Sequence, residues 1–226
     1  MLKTHTDREY EEQLRALREG LLLMAGRVEE MIANAVTALV RRDVDLAQRT
    51  IDADHKVNRA EVETDELCLL ILAKRQPLAS DLRFVTLALK MVTDLERIGD
   101  LAVNICERAL DLAAAAPLKL HEDVPRMALV AQSMVRDAID AFVKGDATLA
   151  RAVIERDDEV DKLYSRIFLE TLEVMRGERA AIQRGIHVQS VAKWLERMAD
   201  HGTNLAEQVI FMVRGKDVRH LGKLDD

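Results

Sequence analysis

Glu96, Asp100, Asn104 and Glu107 fall at i, i+4, i+8 and i+11, so on a helix their oxygens stack along one face. The same four residue types return one hundred positions later as Glu196, Asp200, Asn204 and Glu207. Asp54, Asn58, Glu61 and Asp65 form a further single face, and its duplicate keeps Asp157 and Asp161 but puts Tyr164 where Glu61 stood. If these faces adjoin, each half of the chain concentrates oxygen donors without a matching cation. Such a surface repels itself, and a hard cation, or an oxygen-preferring transition metal such as iron or manganese, relieves the repulsion. The competing reading is a pair of solvated helix faces, partly neutralised by Arg97 and Arg197. Recurrence of the stripe at the same helical phase in both halves favours metal.

The elements that must hold these residues follow from the repeat. Leu95-Glu96-Arg97-Ile98-Gly99-Asp100 reappears as Leu195-Glu196-Arg197-Met198-Ala199-Asp200. Upstream, Met31, Ala35, Asp43, Ala47, Asp54 and Val57 reappear 103 positions later as Met134, Ala138, Asp146, Ala150, Asp157 and Val160. A duplication with loop-length differences predicts two halves of similar topology, residues 1–117 and 118–226. With 32% charged and 3% aromatic residues, three prolines and nine glycines, the chain suits long helices. Leu14, Leu17, Leu21, Met24, Val28, Met31, Ala35 and Ala38 line one face of a first helix. A second helix is expected from Val44 to Lys74. A third, begun by Ser80 or Gln76, runs to about Ala115. Leu118 to Val124 reads as a linker between Pro117 and Pro125, the second half repeats the plan, and the tail from Lys216 is expected to fray. The fold class is all-α: six long helices in two tandem three-helix bundles.

At about 100° per residue, Phe84, Leu87, Met91, Leu95, Ile98, Ala102 and Ile105 form the core stripe of the third helix, opposite the carboxylates. Leu195, Met198, Gly202 and Leu205 do the same in the last helix. The acidic side begins apolar, with Leu82, Val85, Leu89 and Val92. A neighbour should therefore cover its beginning and leave its end open.

Composition narrows the function. A net charge of −7 argues against nucleic acid as the main partner. Cys68 and Cys106 read as reduced core thiols. Met1 to Gly20 lacks the apolar region of a signal peptide, and no apolar run reaches membrane-spanning length. A soluble intracellular chain is expected. No phosphate-cradling glycine loop, Gly-x-Ser-x-Gly or Cys/His/Asp constellation is present, which argues against ATPase or hydrolase chemistry. A ferritin-like carboxylate-metal oxidase needs Glu-x-x-His pairs facing a bundle core, and Asp52-Ala53-Asp54-His55 is the nearest approach. His187 should be semi-buried, His201 a ligand or a surface residue, and His5, His55, His121 and His220 solvated. Trp194 reads as packing, or as an anchor for a partner.

Gln76-Pro77-Leu78-Ala79-Ser80-Asp81-Leu82-Arg83, Asp94-Leu95-Glu96-Arg97-Ile98-Gly99-Asp100 with Asn104-Ile105, and Leu195-Glu196-Arg197-Met198-Ala199-Asp200-His201 with Asn204 resemble the PhoU family of phosphate-uptake regulators. The resemblance spans nearly the whole chain, both halves in order. It implies a pair of three-helix bundles, cytoplasmic, homodimeric and non-catalytic. Its implied partners are the phosphate ABC transporter ATPase subunit and the phosphate-sensing histidine kinase. It also implies a metal ion or cluster (iron, or zinc, manganese or magnesium) on a repeated Glu/Asp-x-x-x-Asp motif, here Glu96 with Asp100 and Glu196 with Asp200. Asn104 and Asn204 would support those ligands, with Asp54, Glu61, Asp157 and Asp161 from the neighbouring faces. Tyr164, in place of a carboxylate, breaks the equality of the halves. The alternative class is a metal-free helical scaffold.

Overall fold

A computed structural model describes residues 5–115 and 123–215. Eight α-helices are present among them: α1 (His5–Arg41), α2 (Val44–Ala53), α3 (His55–Arg75), α4 (Ala79–Ala114), α5 (Asp123–Lys144), α6 (Ala147–Glu155), α7 (Asp157–Gly177) and α8 (Ile182–Arg214). A single 3₁₀ turn, Arg179–Ala181, leads into α8. Helices α1 to α4 make one bundle and α5 to α8 the other. The boundary expected at residues 117 and 118, His121, His220 and the tail from Lys216 lie outside the described residues.

The apolar periodicity is realised. Leu17, Leu21, Met24, Val28, Ala35 and Ala38 on α1, and Met91, Leu95, Ile98, Ala102 and Ile105 on α4, are all but inaccessible to solvent. One continuous core runs through both bundles, because α4 packs against α8 as well as against α1, and α1 also meets α5. The α4–α8 crossing is antiparallel: Asp94 faces His201 and Gln208, while Arg108 faces His187.

The middle helix of each half is two helices rather than one. The Asp54 amide bonds the Ile51 carbonyl at 3.2 Å and the Asp54 carbonyl takes the Val57 amide at 2.8 Å. These three-residue closures interrupt the α-helical ladder. Arg156 repeats the break through Val153 and Glu159. Two further expectations are corrected. Helix α4 begins at Ala79 after an extended Leu78, so neither Ser80 nor Gln76 caps it. Asp123, Val124 and Pro125 belong to the first turn of α5 rather than to a linker, a position where proline loses no helical hydrogen bond.

The turn before α2 and the turn before α6 solve one problem in two ways. Asp43 accepts from the Leu46 amide, and Asp146 from the Thr148 and Leu149 amides. The residue before each cap is left-handed: Gly145 at φ 62°, but Arg42 at φ 57°. Glycine adopts this conformation without strain and arginine does not. The Arg42 guanidinium offsets that strain by donating to the carbonyls of Leu112 and Ala113, at 2.7 and 2.9 Å, and of Ala115, closing the end of α4. Arg42→Ala should therefore destabilise the chain by about 1–3 kcal/mol in urea unfolding. Arg42→Gly should lose less, by roughly 1 kcal/mol, because it removes the strain along with the bonds.

Candidate metal-binding carboxylate seams

Helices α3 and α4 bring the two predicted acidic faces together. Gly99 makes the approach close: a β-carbon there would sit 3.4 Å from Val57 Cγ1 and 3.6 Å from Asp54 Oδ1. Along this seam Asp54, Glu61 and Asp65 meet Glu96 and Asp100. Burial raises the pKa of Glu96, and Asp100, Glu61 and Asp54 add to it by charge repulsion, against the pull of Arg97. Glu61 is raised by burial, then by Asp65 and Asp100, and Asp54 by burial, then by Asp100. Asp65 is raised by burial alone. Arg97 is the nearby cation, 3.5 Å from Glu96 and 3.8 Å from Asp100, but it is mostly exposed. Asp54 Oδ1 and Asp65 Oδ1 are buried without a hydrogen-bond partner.

The second half repeats the geometry with a different balance. Asp157 and Asp161 on α7 lie near Glu196 and Asp200 on α8. Burial, then Asp200, Asp161 and Glu196, pushes Asp157 up to about 6. Asp200 is raised by burial, then by Glu196. Here the seam carries its own counter-ion. Lys193 Nζ donates to both Glu196 oxygens, at 2.7 and 2.6 Å, and sits 5.4 Å over the Tyr164 ring. Its duplicate position holds Thr93. The exchange is visible in the sequence, but its effect depends on the contact with Glu196, which spacing alone does not give.

Glu96 and Glu196 keep 18% and 16% of their side-chain exposure. They are shielded in the seams rather than projecting into water as a purely solvated stripe would. The donors fit a hard cation in kind: oxygens only, several buried or held above their usual carboxylate range, and excess negative charge. Among the described residues no three His, Cys, Asp or Glu side chains converge closely enough to chelate one ion as they stand. Asn104 is half-buried on α4. Asn204 lies elsewhere, lining a cavity of about 470 Å³ between α4 and α8 with Lys90, Asp94, Glu207, Gln208 and Phe211.

His201 is not the exposed surface residue of one expectation, for it is largely enclosed between α4 and α8. Its Nδ1 lies 2.9 Å from Asp94 Oδ1, while Gln208 donates to Asp94 Oδ2 at 2.7 Å, so one carboxylate ties the two bundles. His187 is semi-buried as expected, 3.3 Å from Arg108. Exposed His55 contacts the Asp52 carbonyl, and the fully buried polar side chains among the described residues are three threonines. Without inward carboxylates, the ferritin-like geometry is not met. Cys68 and Cys106 are free and buried, and burial pushes both thiols up to about 12.

Asp157 yields a test of the seam's electrostatics. Because its folded-state pKa is raised, its contribution to stability is fully present below pH 3.8 and is lost as pH rises through about 6. Asp157→Asn should therefore stabilise the chain by about 1–2 kcal/mol at pH 7, a figure reduced for solvent screening at a half-exposed group, and by little at pH 4. Urea unfolding at both pH values checks this.

The chain is similar to known proteins along nearly its whole length. The family model described as the PhoU domain matches the chain twice, at residues 21–109 and 124–209. A phosphate-specific transport system accessory protein PhoU homolog from Pseudomonas putida is 40% identical over 222 residues, covering 98% of this chain and 87% of the relative. The accessory protein PhoU of Escherichia coli (strain K12) is 34% identical over 221 residues, covering 98% and 92%. The crystal structure of PhoU from Pseudomonas aeruginosa superposes with a TM-score of 0.89 at 39% identity, covering 92% of this chain and all of that one. The phosphate transport system regulatory protein PhoU from Streptococcus pneumoniae superposes at 0.86 with 28% identity, covering 92% and 99%.

Proposed function

The chain belongs to the PhoU family, and from that premise we propose that it is a non-catalytic regulator of phosphate transport and of the phosphate-starvation response. It works in the cytoplasm, as a homodimer, through contacts with the transporter's ATPase subunit and a phosphate-sensing histidine kinase. Near-complete coverage of relatives named as accessory proteins of phosphate-specific transport supports this role. No described helix is long and apolar enough to cross a membrane.

The observation that carries the metal part of the reading is the excess of shielded carboxylate along α3 and α4, with Asp54 Oδ1 and Asp65 Oδ1 left unpartnered. Glu96 and Asp100, aided by Asp54 and Glu61, would hold the ion in the first half. Glu196 and Asp200, aided by Asp157 and Asp161, would do so in the second, with Asn104 as outer support in the first and Asn204 set apart in the α4–α8 cavity. The ion would supply positive charge to a negative surface and so give phosphate or an acidic partner group a place to bind. Lys193 and Tyr164 make the second seam the weaker of the two. A metal-free scaffold is the alternative, and the Arg97 and Lys193 pairs are what favour it.

Chelator-treated protein titrated with iron, manganese, zinc and magnesium should bind most tightly through the first half. Glu96→Ala with Asp100→Ala should remove that binding and leave helicity intact by circular dichroism. Glu196→Ala with Asp200→Ala should remove only the weaker phase. Metal retained by the fourfold variant would sink the ligand assignment. Deletion of the gene should raise phosphate accumulation in phosphate-replete cells, and unchanged accumulation would sink the regulatory reading.

A further inference from the structure

A groove of about 370 Å³ runs between α7 and α8, lined by Tyr164, Phe168, Ile186, Lys193 and Trp194 among others. The internal repeat makes its composition informative. Tyr164 and Phe168 stand where the first half has Glu61 and Asp65, and Ile186 and Trp194 stand where it has Thr86 and Asp94. Four polar positions have become aromatic or aliphatic, and all four meet in one groove. Tyr164 and Trp194 pack partly against the core, but internal packing does not account for the other two, since Phe168 remains 44% exposed and Ile186 55%. Leu172 and Ile182 extend the exposed apolar strip toward the hairpin tip. Adjacent large apolar groups left in water mark a contact surface rather than a core.

Chemistry at the other end of the groove specifies what it contacts. Two turns back along α7 from Phe168, about 10 Å, stands Asp161, with Asp157 one turn further. Asp200 lies across the seam, its charge felt by Asp157. None of these three carboxylates has an ion-pair partner within contact distance among the described residues: Lys193 is held by Glu196, and it and His201 act on Asp200 only through their charge. The surface is therefore apolar at one end and net negative at the other. Acidic groups beside the apolar strip repel an anionic lipid surface, so the occupant is a protein segment rather than a membrane.

We propose that this groove docks an amphipathic helix of a partner protein. Its apolar ridge fills the space between Tyr164, Phe168, Ile186 and Trp194, and a Lys or Arg two turns further on meets Asp157, Asp161 and Asp200, in place of the ion that this weaker seam would hold. Apolar burial supplies affinity, and charge complementarity sets the direction in which the helix lies. This assignment rests on the reading of the chain as a regulator acting through protein contacts, and it names one of its surfaces.

Trp194 is the chain's one tryptophan, so its emission reports the groove. The full chain is titrated with a short synthetic helix carrying a leucine ridge and arginines two turns along, and with a matched helix carrying glutamates instead. The expected result is a blue-shifted Trp194 emission and binding about tenfold tighter for the arginine helix. Ile186→Ser and Phe168→Ser, both at exposed positions, should each lose the response with helicity unchanged. Equal binding of the two helices, or an unmoved emission, would overturn the proposal. So would an emission shift driven by protein concentration alone with a sedimenting dimer, which would assign the groove to a second copy. Peptide failure in a strain whose deletion still raises phosphate accumulation removes the groove assignment only. Peptide binding with unchanged accumulation removes the regulatory reading and leaves the groove.

Discussion

The architecture depends on one crossing. Helices α4 and α8 each serve three neighbours: their own bundle's core, the opposite bundle, and the hairpin partner that completes an acidic seam. A helix surface divides into three such sectors only if residue types are sorted strictly by phase. Leu95, Ile98, Ala102 and Ile105 take the first sector, Asp94 the second, and Glu96 with Asp100 the third. A one-residue slip would turn carboxylates toward aliphatic neighbours, where their burial without partners costs several kcal/mol. The seams are therefore as rigidly placed as the core that carries them.

Much of this was legible beforehand, for a simple reason. Periodicity and duplication are properties of types and spacings, and they pointed to the long helices and the core stripe, while the pairing of the two acidic faces entered only as a condition of the metal reading. The breaks at Asp54 and Arg156 were not legible, because no proline or glycine marks them. Only the local hydrogen-bond pattern does. The start of α4 at Ala79 was hidden for the same reason, since no side chain caps it. The tie between His201 and Asp94 was not legible because the two are distant in sequence and belong to different halves. Contacts between halves are what a repeat conceals, since it describes each half to itself.

The departures from symmetry are more informative than the symmetry. Arg42 and Gly145 occupy matching turns, one strained and tied to the end of α4, the other relaxed. Thr93 and Lys193 occupy matching turns of the long helices, and only the second neutralises its glutamate. Glu61 and Tyr164, Asp65 and Phe168 complete the series. The exchanges along the seam lower its net negative charge or add apolar surface beside it. Two copies of one scaffold have thus been given different surface chemistry while both kept a largely aliphatic core.

Cys68 on α3 and Cys106 on α4 are the chain's two cysteines, both enclosed in the first bundle, and the second bundle has none. Burial suppresses the thiolate that alkylating reagents attack, so both sulfurs are protected for as long as that bundle stays closed. The molecule thereby contains a native timer for one half only. The pace of thiol capture measures opening of the first bundle, which carries both sulfurs.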